Sequence, residues 1–377
     1  MQVNAAPLAV RPVSGRRERT AFIKLPFRLY RDNPVWVPPL IISERALIDP
    51  AKNPFFEHAE MQLFIAWEGG TPVGRIAAID DQRHNATWGD NLAFFGFFEA
   101  ETEAIARALL HTAESWARAR GREVLRGPVN PSLNDSAGLL IDAFDRRPLV
   151  MMPYNPPSYP EYLEAIGYAK AKDLYAWWFD IRNSVNERAQ RIIERITRRL
   201  DPVPTIRTIS KKHFERDIAI IHEIFTTVWK DNWGFVAPTE AEFRHAAKEM
   251  KPILEWGLIH IMESAGEPIA FSLTLPDMNR VLAQMNGRLL PFGILKLLRR
   301  RRTIDRNRLV LLGVLEEHRQ KGLELMLIAA GIRETERLGW IGGECSWTLE
   351  DNHGINKGIQ LVGGKRYKTY RIYDKRL

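Results

Sequence analysis

Val314-Leu315-Glu316-Glu317-His318-Arg319-Gln320-Lys321-Gly322-Leu323 stands between an apolar run, Leu309 to Val314, and a run of helical periodicity, Gly322 to Leu338. The first reads as a strand and the second as a helix. A turn from Val314 into Leu323 aims several backbone N–H groups and a helix N-terminus at one point, which is what a pyrophosphate requires. Gly322 has no Cβ and lets the backbone approach the phosphates closely. Arg319, Gln320 and Lys321 add charge or donors to the same anion.

Working outward, Ile341 to Trp347 reads as a strand, and Asn356 to Val362 as a short helix that ends at Gly363-Gly364. Upstream lie a strand near Ile206, helices from Lys212 to Trp229 and from Glu240 to Leu254, and a hairpin, Ile259 to Leu275, turning at Ala265-Gly266-Glu267-Pro268. The first half has the same order. A hairpin spans Met61 to Asp80, an apolar strand Leu92 to Phe98, and a helix Glu101 to Arg120 with Ile105, Leu109, Ala113 and Trp116 on one face. A strand through Val124 and Leu125, a long Pro- and Asn-rich connection from Gly127 to Pro160, a short helix from Glu161 and a strand from Asp173 to Ile181 follow. The repeated order predicts an internal duplication, with domains 1–182 and 183–377 and a junction in the charged segment Asn183 to Pro204. At 377 residues the chain exceeds what one core holds.

The turn at Arg319 and Gly322 resembles the acyl-CoA loop of the GNAT superfamily, R/Q-x-x-G-x-G/A after a strand ending in V-x-P-x-x. Glu324 stands where that family carries Gly or Ala. A second block agrees: the N-x-x-A-x-x-L-Y-x-x-x-G-F pattern is matched in offset by Asn352, Ile355, Gly358, Ile359 and Gly363. Ile359 replaces the Tyr that often serves as general acid. In the first half, Tyr162-Leu163-Glu164-Ala165-Ile166-Gly167-Tyr168 resembles the end of the same pattern, but Glu99-Ala100-Glu101-Thr102-Glu103 offers no phosphate loop. The resemblance implies a mixed α/β (α+β) fold of two tandem GNAT-like domains, each a mainly antiparallel sheet flanked by helices. The second is expected to bind the acyl thioester and the first to shape the acceptor site.

Across nearly the whole chain, Gly127-Pro128-Val129-Asn130, Asn134-Asp135, Met151 to Pro157, Lys172 to Ala176, Asn232-Trp233-Gly234-Phe235 and Lys368 to Tyr373 are similar to a tandem-GNAT family that includes the bacterial ceramide synthases. That resemblance implies an amide formed between a long-chain acyl thioester, from coenzyme A or an acyl carrier protein, and 3-oxosphinganine or sphinganine. Acyl-CoA is then a co-substrate, and no metal is implied. A tandem-GNAT ligase using aminoacyl-tRNA and a non-catalytic acyl-CoA binder are the other readings; a phosphate loop in the second domain speaks against the first, and no nucleic acid partner is expected.

Amide formation requires a base to free the amine lone pair and dipoles for the oxyanion. Glu316, Glu317 and His318 at the loop, Glu344 on the following strand, and Asp351 just after it are the candidates, with Glu344 and Asp351 favoured. Tyr367 and Tyr370 are candidates for the general acid that Ile359 cannot be. Asn352 and Asn356 join Val314, Arg319, Gln320, Lys321, Gly322 and Leu323 as expected donor-binding residues. Acceptor contacts are expected from Asn130, Asn134, Asp135, Met152, Tyr154, Asn155, Asn232 and Trp233, although the asparagines equally serve their own turns and Met152 and Tyr154 a core.

Composition narrows the setting. Net charge is +8, and one cysteine, Cys345, excludes an intrachain disulfide framework. With no leader-like start and no apolar run of bilayer length, the expectation is a cytoplasmic protein. The segment Leu289-Leu290-Pro291-Phe292-Gly293-Ile294-Leu295-Lys296-Leu297-Leu298 runs into Arg299-Arg300-Arg301-Arg302. Apolar residues ending in four arginines suit the headgroup layer of an anionic membrane, so peripheral association with the inner membrane is expected.

Overall fold

A computed structural model describes residues 7–182 and 187–377; the junction expected to begin at Asn183 starts outside the described residues. The strands are β1 (Ala9–Pro12), β2 (Ala59–Glu68), β3 (Thr71–Asp81), β4 (Leu92–Ala100), β5 (Val124–Gly127), β6 (Leu139–Leu140), β7 (Ala169–Asp180), β8 (Thr205–Thr208), β9 (Ile259–Ser264), β10 (Glu267–Pro276), β11 (Arg306–Val314), β12 (Gly342–Leu349) and β13 (Lys365–Arg376). The α-helices are α1 (Gly15–Leu29), α2 (Ile41–Leu47), α3 (Gln82–Trp88), α4 (Glu103–Arg118), α5 (Ser158–Ala165), α6 (Glu187–Thr197), α7 (Phe214–Trp229), α8 (Glu240–Met250), α9 (Asn279–Leu282), α10 (Gly293–Leu298), α11 (Leu323–Arg337) and α12 (His353–Leu361).

The chain divides into two compact units. Of the described residues, the first holds 7–173, 282–296 and 370–377; the second holds 174–182, 187–281 and 297–369. In the first, β1 to β5 lie in sequence order, and β5 pairs with the end of β13, from Tyr373↔Gly127 to Arg376↔Val124. In the second the order is β8-β9-β10-β11-β12, and β12 pairs with Leu174 to Asp180 of β7. The strand that follows the first half's helices therefore gives residues 174–180 to the second unit, and the last strand of the chain gives its end to the first. All these neighbours are antiparallel except β4 with β5 and β11 with β12.

Strand β4, LAFFGFFEA, is buried along its whole length because helices cover both faces. Helix α4 lays Ile105, Leu109, Leu110 and Ala113 on it, stapled at its start by the Thr102 hydroxyl accepting from Ile105 N. In the second unit α11 presents Leu323, Leu325, Met326, Leu327 and Ile328 to β10, β11 and β12.

Each parallel pair comes apart at a bulge. In the second unit β11 and β12 pair only from Arg306↔Gly342 to Leu309↔Cys345. Beyond that level β10 steps from Thr274↔Leu309 to Leu273↔Leu311, leaving Val310 as an extra residue, and β7 steps from Trp177↔Cys345 to Tyr175↔Thr348, so Ser346 and Trp347 face Ala176. Extra residues bend and re-aim strands, and bulges on both at one level force them apart. In the first unit pairing of β4 with β5 ends at Phe94↔Arg126, and Phe97 and Phe98 together oppose Ile76.

There the two units differ. The gap beside β4 is filled by the chain itself: Val129 N donates to Phe95 O at 2.9 Å, and Phe97 N donates to Asn130 Oδ1 at 2.5 Å. Gly96 makes this possible, since a Cβ there would stand 1.6 Å from Val129 O.

Candidate active site

The parted strands of the second unit carry a buried polar cluster on the face of β11 and β12 away from α11. Asn307 points toward α11, donating to Thr335 Oγ1 at 2.6 Å, so its neighbour Arg308 points the other way. Arg308 lies in register with Glu344, and Glu344 with Trp178. Glu344 and Ser346, two apart on β12, share that face. Tyr367 OH donates to Glu344 Oε2, and Ser346 Oγ donates to Glu344 Oε1. Arg308 Nε stands 3.8 Å from Glu344 Oε1 and donates to Ser346 Oγ at 2.7 Å.

Glu344 is 1% exposed, whereas Tyr367 is half-buried and so forms the more accessible end of the pair. The Tyr367 ring stands edge-on to Trp178 at 6.1 Å, and the Arg306 guanidinium lies 5.6 Å from the same indole. Cys345 turns to the opposite face, where it packs against Phe179, Leu325 and Ile328. Burial, with the Glu344 charge adding, pushes its thiol up to about 12, so it stays an unreactive neutral thiol at physiological pH.

The other expected bases are set differently. Glu317 is exposed in the short turn Glu316–His318, and His318 Nδ1 stands 3.5 Å from Lys321 Nζ. Asp351 is exposed in the turn before α12. Asn352 caps α12, accepting from Ile355 N at 3.4 Å, and buried Asn356 ties that helix to β12 by donating to Leu349 O at 2.9 Å and accepting from Thr348 Oγ1 at 2.7 Å. Both asparagines thus hold the end of the parted strand. Ile359 is fully buried among Trp177, Phe179 and Val362, and its side chain has no proton to donate.

The expected strand-to-helix turn forms, with Val314 ending β11, Gln320 at φ 62° and Gly322 at φ 77° capping α11 ahead of Leu323. A left-handed residue followed by a helix start leaves N–H groups of the first turn without helical acceptors, which fits a phosphate. Two expectations change. The Arg319 guanidinium is committed to backbone carbonyls, donating to Val228 O at 2.9 Å and Val314 O at 3.4 Å, so it anchors the turn to α7. Gly322 meets α6: a Cβ there would lie 2.5 Å from Ile196 Cδ1, so its missing side chain makes room for that isoleucine. The N-terminus of α11, Gln320 and Lys321 remain as the groups suited to hold phosphates.

Several of the expected acceptor residues are bonded within their own surroundings. Asn130 holds Phe97 N, as above. Asp135 Oδ2 accepts from Ser132 Oγ at 2.6 Å, and Asn134 N donates to the same hydroxyl at 3.1 Å. Asn155 is buried and pairs both ways with the Leu140 backbone, at 2.7 and 3.1 Å. Tyr154 OH accepts from Asn33 Nδ2 at 2.9 Å, and Met152 is buried. Asn232 and Trp233 belong to the turn after α7, where Phe235 N donates to Asn232 O at 3.0 Å. Arg308 and Ser346 are the members of the cluster that sequence reading missed. Their signal was present: an arginine beside the apolar run Leu309 to Leu312, and Glu-x-Ser at the two-residue spacing of one strand face. Among the described residues no group of three or more His, Cys, Asp or Glu side chains is arranged to hold a metal.

Two units, each with one parallel pair parted at a bulge and a helix start beside it, define a tandem GNAT N-acyltransferase fold. Solved structures agree on the fold. A tandem GNAT protein from the clavulanic acid biosynthesis pathway superposes with TM-score 0.56 at 13% identity, covering 98% of both chains. A GCN5-related N-acetyltransferase from Sphaerobacter thermophilus gives 0.51 at 12% identity, covering 98% of this chain and 96% of that one. Protein YghO of Escherichia coli is 34% identical over 98% of this chain and 95% of its own. A bacterial ceramide synthase of Caulobacter vibrioides is 38% identical over 380 aligned residues, 99% of this chain and 98% of that protein. The chain belongs to the bacterial ceramide synthase family and is an N-acyltransferase. No protein-family model matches it.

Proposed function

We propose that the protein joins a long-chain acyl thioester to the amine of a sphingoid base, 3-oxosphinganine or sphinganine, with Glu344 and Tyr367 moving the protons. The observation that carries this reading is the hydrogen bond from Tyr367 to buried Glu344 beside the parted strands. The substrate class comes from the relative in Caulobacter vibrioides. The amine reacts as the neutral base, its extra proton left to solvent, and as the nitrogen adds to the thioester carbonyl Glu344 takes one of its two remaining protons. As the tetrahedral intermediate collapses, the C–S bond breaks and Tyr367 protonates the leaving thiolate. Glu344 then returns its proton to Tyr367, so the pair ends as it began. The N-terminus of α11 with Gln320 and Lys321 would hold the phosphates of acyl-CoA or of a carrier protein's phosphopantetheine.

Mass spectrometry of the product decides the reading. Purified protein given palmitoyl-CoA or palmitoyl carrier protein with sphinganine is expected to yield the N-acyl product with at least one donor. Thioester binding without amide from either donor would overturn the assignment.

The membrane is the second element of the proposal. No helix of the described residues is long and apolar enough to cross a bilayer. Leu290, Phe292 and Leu298 are nevertheless 69%, 71% and 70% exposed, and Arg299 to Arg302 follow directly. Exposed apolar side chains beside arginines match an anionic headgroup layer, into which a long-chain amine partitions. At about 1 kcal/mol per basic residue near such a surface, replacing all four arginines by Gln lowers partition onto phosphatidylglycerol vesicles by about 10² to 10³. Undiminished co-sedimentation would exclude docking through this segment.

A further inference from the structure

Arg308 reaches across the level at which β11 and β12 part. Its Nη2 donates to Ser346 O at 3.0 Å and its Nε to Ser346 Oγ at 2.7 Å. Ser346 is the first β12 residue beyond the last parallel pair, Leu309↔Cys345, so its carbonyl lies past the ladder with β11 and a side chain from β11 serves it instead. A guanidinium only donates. With Arg308 donating into the serine oxygen, the hydroxyl hydrogen goes to Glu344 Oε1, while Tyr367 donates to Oε2. Each oxygen of the carboxylate thus has its own donor, and the donor on one side is itself oriented by Arg308. Arg308 is 3% exposed, Ser346 2% and Glu344 1%, so water does not compete for these contacts.

We propose that Arg308 is a positioning residue for the transfer, acting through Ser346 to hold the Glu344 carboxylate against Tyr367. The inference rests on Glu344 being the base. The charged and titratable groups against Glu344 are Arg308 from β11, Tyr367 from β13 and its own neighbour Cys345, with Trp178 from β7 in register beside it and Arg306 over the Trp178 ring.

The test is the pH dependence of kcat at saturating substrate in Ser346→Ala, Arg308→Gln and Arg308→Lys, with folded fraction followed by circular dichroism. Losing a donated hydrogen bond or a nearby positive charge favours a protonated carboxyl. The acidic limb of the profile is therefore expected to move to higher pH, by on the order of one unit in Ser346→Ala and further in Arg308→Gln, with KM for the acyl donor within about twofold of wild type. Arg308→Lys keeps the charge but not the planar fork, so its limb stays nearer to wild type than that of Arg308→Gln while kcat drops about tenfold. A merely structural role would reduce the folded fraction and leave the limb where it was. Should Arg308→Gln fail to fold, Ser346→Ala still decides: an unmoved limb in it overturns the inference. Glu344→Gln separates the two levels, because full activity there removes the base and this inference together, whereas an inactive Glu344→Gln beside an unmoved limb in Ser346→Ala overturns the Arg308 assignment alone.

Discussion

Glu344→Gln is expected to lower kcat by about a thousandfold, or about 4 kcal/mol in the barrier, while KM for the acyl donor changes little. The substitution keeps the volume of a side chain that is 1% exposed and keeps an acceptor for one of the two hydroxyls that point at it. What it removes is the ability to take the amine proton. An effect confined to kcat is the signature of an interaction made during the chemical step and not in substrate binding. Tyr367→Phe removes only the relay to the thiolate and is expected to cost less, about a hundredfold. Single-turnover measurements with preloaded donor check both. A Glu344→Gln enzyme within threefold of wild type would mean that another group takes the amine proton, and among the acidic candidates Glu317 and Asp351 would then have to act from exposed turns.

Gly96→Ala should be among the most damaging single substitutions in the first unit. Its Cβ would stand 1.6 Å from Val129 O and 2.8 Å from Val129 C, and a backbone carbonyl cannot rotate aside as a side chain can. Relief requires moving Val129 away from β4, which breaks the bond from Val129 N to Phe95 O and draws Asn130 off Phe97 N. The expected loss is at least about 3 kcal/mol, at the upper end for single substitutions. Gly331→Ala is the matched control: it lies inside α11, has nothing within 4 Å of a built Cβ, and gains helix propensity, so it should stabilise by about 0.5–1 kcal/mol. Urea unfolding of both variants checks the pair. Equal midpoints would show that the segment from Gly127 to Asn130 does not seal the first unit as tightly as its contacts indicate.

Those contacts also give a physical reason why the two halves of a duplicated plan differ. In the second unit the space beyond the last parallel pair is bordered by a buried polar cluster. In the first, Val129 and Asn130 occupy the corresponding place, so the missing phosphate loop after β4 is matched by an opening already filled. Asn130, expected at an acceptor site, spends its side chain on that closure.

Much of this was legible in the chain itself. The all-apolar run at Leu92 to Phe98, the alternation after Ile259 and the switch of period around Gly322 determine strands, a hairpin and a strand-to-helix turn, because period and turn chemistry are local properties. Ile359 was also legible as a departure at the acid position, and its full burial follows from its place on the apolar face of α12. Tertiary structure alone decided which strands become neighbours: a period of two says which side chains share a face but not which strand lies beside them, so nothing local announces that Leu174 to Asp180 pair with β12 or that Tyr373 to Arg376 pair with β5. The same holds for the site. Arg308, Glu344 and Tyr367 come from three strands, and only the tertiary arrangement of those strands brings a buried guanidinium and a buried carboxylate together with a half-buried phenol.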